Sequence, residues 1–122
     1  MTLILFVDDD PLTLTLLSQS ARILGHDSVT AERGEDAVKI AKERLPDLIL
    51  LDMNLKGTTG LAVTKILRKD TLTSTIPILV LSAGPGTKTA ELVAAAGANA
   101  YLPKPIRLQT LIEVIREYTE HK

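Results

Sequence analysis

Asp8, Asp9, Asp52, Ser82 and Lys104 each follow a short apolar run in this chain. Leu3-Ile4-Leu5-Phe6-Val7 leads into Asp8-Asp9-Asp10, and Leu48-Ile49-Leu50-Leu51 into Asp52. Ile78-Leu79-Val80-Leu81 leads into Ser82, and Ala100-Tyr101-Leu102 into Pro103-Lys104-Pro105. With the runs side by side, the carboxylates of Asp8, Asp9 and Asp52 converge. Such a cluster repels itself at large cost unless a cation neutralises it. A hard divalent ion is the natural partner, and magnesium takes oxygen ligands while keeping several waters. Asp8 and Asp9 can hold it directly or through water, with Asp52 and the backbone carbonyl of Asn54 completing the protein side. The same ion would prepare Asp52 as a nucleophile toward phosphorus. Lys104 can bind one phosphoryl oxygen, and Ser82 can donate a hydrogen bond to another.

Taken singly, each residue has a plainer reading. Asp10, just before Pro11, reads as a helix cap. Asp8, Asp9 or Asp52 alone would be a turn or loop acid, Ser82 a common residue after a strand, and Lys104 a solvated charge. The Lys104-Pro105 peptide would be trans, like most such bonds. Their joint occurrence at successive strand ends, in order, favours the chemistry.

The elements that must position them follow from periodicity. Short apolar runs bounded by polar or turn residues, with helical patterns between them, read as buried parallel strands. Leu12, Leu16, Leu17, Ala21 and Leu24 have helical spacing, started by Asp10-Pro11 and stopped by Gly25. Ser28-Val29-Thr30-Ala31 reads as a short second strand. Residues 34–45 carry Ala37, Val38, Ile40, Ala41 and Leu45 as a helix that Pro46 stops. A Gly-rich loop, Lys56-Gly57-Thr58-Thr59-Gly60, leads to a helix with Leu61, Val63, Ile66 and Leu67. Ala83-Gly84-Pro85-Gly86 leads to an alanine-rich helix running to about Ala96, capped by Gly97. The last helix holds Leu108, Leu111, Ile112, Ile115 and Tyr118, an apolar stripe read as core, and ends in the polar Glu120-His121-Lys122. Alternating strands and helices predict a parallel sheet with right-handed crossovers. Five strands favour a flavodoxin-like (βα)5 three-layer sandwich of order 2-1-3-4-5. In that order strands one and three adjoin at the switch point, where α/β sheets bind ligands.

With 122 residues, 45% hydrophobic and 24% charged, residues 1–122 read as one domain with its own core. A net charge of -1 argues against general nucleic-acid binding, and 2% aromatic residues leave no stacking platform for single strands. The lack of cysteine excludes disulfides, thiolate metal sites and cysteine nucleophiles. The first apolar run is too short for a signal-peptide core and lacks a basic lead. No stretch approaches a membrane span, and the cytoplasm is the expected compartment.

Taken together, the residues resemble the receiver domains of two-component response regulators, over the whole chain. Asp8-Asp9 looks like the family's acidic pair, and Asp52, in Leu-Leu-Asp-Met-Asn-Leu, like its phosphoacceptor. Gly60 matches the glycine downstream, Ser82-Ala83 the hydroxyl and small residue after strand four, and Lys104-Pro105 the family Lys-Pro, whose peptide is typically cis. Tyr101 sits where the family has an aromatic switch residue. The resemblance implies that a sensor histidine kinase or a histidine phosphotransfer protein donates a phosphoryl group to Asp52 with Mg2+ bound, where Mn2+ can substitute. Ser82 and Tyr101 would then move, and the face of helix four, strand five and helix five would change its effector. Hydrolysis at the same site would remove the phosphate, and a monomer or weak dimer is expected. The chain departs from the common pattern at Lys56, where proline is frequent, at Thr59, where aspartate is, and at Ile106, where phenylalanine is. Asn54 and Gly84 occupy positions that influence phosphate lifetime in the family, and Gly84 is expected to leave the phosphoryl group open to water.

Two other functions compete. Asp8-Asp9-Asp10 contains the Asp-x-Asp of haloacid-dehalogenase phosphatases, but Leu12 stands where threonine or valine is expected, and the chain has no room for a cap. A receiver fold that acts as a binding module without phosphorylation usually loses an acid or the lysine, and neither is lost here. Read as a whole protein, the chain would act by docking or as a relay. Read as a piece of one, an effector or kinase would lie beyond Lys122.

Overall fold

Strands β1 (Leu3–Val7), β3 (Leu48–Asp52) and β4 (Ile78–Ser82) form the centre of a parallel sheet, with β2 (Asp27–Ala31) and β5 (Ala100–Pro103) at its edges. The computed structural model describes residues 2–83 and 86–119. Gly84 and Pro85 of the loop after β4, and the polar tail 120–122, lie outside them. The strand order is β2-β1-β3-β4-β5, the flavodoxin-like order expected from the alternating pattern. The helices are α1 (Pro11–Ile23), α2 (Gly34–Arg44), α3 (Gly60–Lys69), α4 (Gly86–Ala96) and α5 (Leu108–Thr119).

Successive strand residues point to opposite faces, and both faces are covered, which is why the central strands are apolar without a break. On one face Ile4, Phe6, Leu48, Leu50 and Leu79 pack against Leu14, Leu17 and Ala21 of α1 and Leu111, Val114 and Ile115 of α5. On the other, Leu5, Val7, Ile49, Leu51, Ile78 and Val80 pack against Ala37 and Ala41 of α2, Val63 and Leu67 of α3, and Val93 of α4. Each large side chain fully buried this way contributes on the order of 1.5–3 kcal/mol.

Several local expectations need correction. Strands β3, β4 and β5 each run one residue past the apolar stretch, to Asp52, Ser82 and Pro103, because strand pairing continues through those residues. Strand β2 begins one residue early, at Asp27, and α2 ends at Arg44, with Leu45 left-handed at φ 46°. The Gly-rich loop contains a short antiparallel ladder, Asn54–Leu55 against Thr58–Thr59. Apolar spacing gives the helices correctly but not their phase. Leu12, Leu16 and Leu108 are 66%, 56% and 59% exposed, while Leu14 and Leu17 take the core positions.

Asp10 caps α1: its carboxylate accepts from the Leu12 N–H at 3.1 Å and the Thr13 hydroxyl at 2.9 Å. At the amino ends of β4 and β5, Arg68 of α3 gathers four acceptors. Its Nε donates to the Gly97 carbonyl at 2.7 Å, Nη1 to those of Ile76 at 2.8 Å and Thr73 at 3.3 Å, and Nη2 to Asn99 Oδ1 at 2.9 Å.

Candidate functional site

Parallel pairing sets Val7 beside Leu51, so β1 and β3 deliver Asp8 and Asp52 next to each other at their carboxyl ends. Asp52 pairs with Leu81 and Ser82 with Pro103, which carries the line on to Ser82 and Lys104. Carboxylate oxygens of Asp8, Asp9 and Asp52 lie within 4.8 Å of one another. Asp8 and Asp52 are 1% and 5% exposed, whereas Asp9 is open to solvent. Asp8 is oriented by the Asp10 N–H, which donates to its Oδ1 at 2.9 Å.

Lys104 reaches into this cluster from the end of β5. Its Nζ lies 3.2 Å from Asp52 Oδ1 and 3.4 Å from Asp8 Oδ2. The Lys104 N–H donates to the Ser82 carbonyl at 3.0 Å. The Lys104-Pro105 peptide is cis, as the resemblance implies and against the trans bond that the residues alone suggest. Burial raises the pKa of Asp52 above the ordinary carboxylate value, and Asp8 raises it further, while Lys104 works the other way. Burial acts to lower the pKa of Lys104, but the Asp52 and Asp8 carboxylates outweigh it and leave it raised. Three carboxylates thus face one ammonium. That donor set, all hard oxygen with one acid on the solvent side, fits a small divalent cation such as magnesium.

The loop after β3 is held tightly against the sheet. Gly60, the first residue of α3, donates its N–H to the Met53 carbonyl at 2.7 Å, and Met53 donates to Leu81 at 2.8 Å. A Cβ on Gly60 would collide with the Asp52 carbonyl oxygen, so the approach requires glycine. Asn54, exposed, begins the ladder opposite Thr59. Ser82 is buried at the end of β4. Tyr101 is half-buried on β5, beside Val80, and packs on the face covered by α2, α3 and α4. The structure therefore brings Asp8, Asp9, Asp52 and Lys104 together, with Ser82 at the next strand end and Asn54 and Tyr101 on flanking segments. Sequence reading missed supports rather than donors: the Asp10 N–H on Asp8, and Gly34 packed against Thr58. A signal for Gly34 existed, since α2 begins on a glycine after Arg33, with no side-chain cap.

Residues 4–116 match the response regulator receiver domain family. The chain is 34% identical over 115 residues to protein PilH of Pseudomonas aeruginosa, covering 94% of this chain and 95% of that protein. A putative response regulator from Chloroflexus aurantiacus superposes with a TM-score of 0.91 at 33% identity, over 98% of both chains. The receiver domain of the sensor histidine kinase PA1611 from Pseudomonas aeruginosa, solved with a magnesium ion coordinated in its active-site cleft, superposes with a TM-score of 0.89 at 28% identity, over 98% of both chains. The chain belongs to the response-regulator receiver family: it is a receiver domain of two-component signalling. Such domains are signalling modules rather than classical enzymes, and they interact with histidine kinases or phosphotransfer proteins. Among the described residues, no helix is long and apolar enough to cross a membrane.

Proposed function

We propose that Asp52 is the phosphoacceptor of this receiver and that Asp8, Asp9, Asp52 and the Asn54 carbonyl hold Mg2+, or Mn2+ in its place. The observation that carries this reading is the contact of one ammonium, Lys104, with both buried acids, Asp52 at 3.2 Å and Asp8 at 3.4 Å. A carboxylate oxygen of Asp52 attacks the phosphorus of a phosphohistidine donor. The new O–P bond forms as the P–N bond breaks, and the leaving imidazole takes up a proton. Lys104 holds one phosphoryl oxygen and the Ser82 hydroxyl donates to another. A magnesium ion bound at the acids would screen the carboxylates from the incoming anion and stabilise the oxygens of the transferring group.

With the phosphoryl group in place, Lys104 exchanges a carboxylate partner for a phosphoryl one. Ser82 and Tyr101 are the groups that report the change to the face of α4, β5 and α5. On this reading residues 1–122 are one receiver domain, a monomer or weak dimer in the cytoplasm. A histidine kinase or phosphotransfer protein is its donor, and it phosphorylates itself from small acyl phosphates and hydrolyses its own aspartyl phosphate. Intact mass after incubation with magnesium and a small acyl phosphate tests the reading. One phosphoryl addition is expected, dependent on magnesium and absent from Asp52→Asn. Addition that persists in Asp52→Asn, or phosphate trapped on Asp8, would overturn it.

A further inference from the structure

The Asn54 carbonyl belongs to the loop between β3 and α3, which carries its own two-residue ladder and is tied to the sheet through Met53. A second segment, the turn between β2 and α2, also packs on this loop. Three contacts join the two. Arg33 and Lys56 form an isolated parallel bridge. Lys56 Nζ pairs with Glu32 Oε1 at 3.4 Å, an exposed pair that adds little by itself. Gly34, buried at the start of α2, packs so closely on the loop that a Cβ there would collide with the Thr58 methyl group and lie 2.8 Å from a Val63 methyl. Thr58 in turn is the ladder partner of Leu55, and Thr59 of Asn54. Displacement of Thr58 therefore passes directly to the strand that bears Asn54. Where proline would stiffen this loop through its own ring, the present chain has Lys56 and a support from a neighbouring segment.

We propose that the Glu32–Gly34 turn is a positioning element for the metal-binding loop, acting through Thr58 and the Arg33–Lys56 bridge to set where the Asn54 carbonyl lies. Gly34 is the residue on which this depends, because any side chain would push Thr58 away from α2. The inference rests on the magnesium site proposed above.

Magnesium titration by calorimetry on the folded chain tests it. Gly34→Ala is expected to bind magnesium about tenfold more weakly than wild type, the scale of losing an outer support of a metal site. Gly34→Ala combined with Thr58→Ser, which removes the closer of the two colliding methyls and leaves that of Val63, is expected to recover part of that loss. Gly97→Ala strains the chain at φ +101° far from the loop, so it destabilises the fold and is expected to leave magnesium affinity unchanged. Should Gly34→Ala not fold, Thr58→Ala removes the seat without adding bulk and is expected to bind about tenfold more weakly, the low end of such losses. Wild-type affinity in Gly34→Ala, or in Thr58→Ala where the first does not fold, overturns the inference and leaves the proposed function standing. Equal weakening in Gly97→Ala also overturns it, since the effect would then be general destabilisation. Absence of magnesium binding in the wild type overturns both.

Discussion

Lys104 and Asp52 stand at the ends of strands two apart in the sheet, yet Nζ and Oδ1 are 3.2 Å apart. The lysine spans the end of β4 to reach the acid, and its backbone N–H is anchored on the Ser82 carbonyl of the strand between. Strand order and side-chain length together make the contact, and the same ammonium touches Asp8. A single ammonium, that of Lys104, therefore faces both buried acids.

The raised pKa of Asp52 has a consequence for stability. Burial favours the protonated carboxyl in the fold, so its contribution is fully present below the unfolded value of 3.8 and is lost as pH rises through the folded value. At neutral pH without divalent cation, the ionised Asp52 weighs against folding. Asp52→Asn is expected to melt at a higher temperature than wild type at about pH 7, the gap closing as pH falls below about 4. Thermal unfolding of both proteins across that range checks it, and a lower melting temperature for the variant at neutral pH would contradict it.

Magnesium should stabilise the chain. At one hundred times its dissociation constant, a ligand that binds only the folded state adds about 2.7 kcal/mol, or roughly 10 °C in Tm for a domain of this size. Asp9→Asn is expected to weaken binding about tenfold, which leaves about 1.4 kcal/mol at the same concentration. Scanning calorimetry with magnesium, and again after chelation, reads both.

Asp10 is expected to behave as a cap and not as a ligand. Asp10→Ala removes the acceptor for the Leu12 N–H and the Thr13 hydroxyl, and should cost about 1 kcal/mol of stability. Its magnesium affinity should stay within about twofold of wild type, since the N–H that orients Asp8 belongs to the backbone and survives. Urea unfolding and a metal titration on the same variant separate the two roles.

Phe6 lies fully buried between the sheet and helices α1 and α5. Phe6→Ala is expected to cost about 3–5 kcal/mol in urea unfolding, the sum of lost burial and the cavity left behind.

The strands and the polar residues ending them were legible in the sequence because a sheet covered on both faces leaves unbroken apolar runs. What escaped were features with no period. The ladder Asn54–Leu55 with Thr58–Thr59 is too short to carry an alternation. The phase of α1 was ambiguous because Leu12, Leu14, Leu16 and Leu17 cover more of the helix than one face, and only packing selects Leu14 and Leu17. Thr64 and Thr73 are buried despite their hydroxyls, since each donates to a backbone carbonyl, of Gly60 and of Leu67. At the site, Asp8, Asp9, Asp52 and Lys104 could be read from strand ends, but the Gly34–Thr58 contact is a distance between segments that no local pattern encodes.

Arg68 binds the Gly97 carbonyl just past the end of α4 and the Asn99 side chain just before β5, so one guanidinium of α3 ties down the turn between α4 and β5. The same guanidinium takes the Thr73 and Ile76 carbonyls ahead of β4, so the lead-ins to two neighbouring strands share one staple. Ser82 and Lys104 stand at the opposite ends of those two strands, so the staple holds their spacing from the edge of the sheet that carries no chemistry.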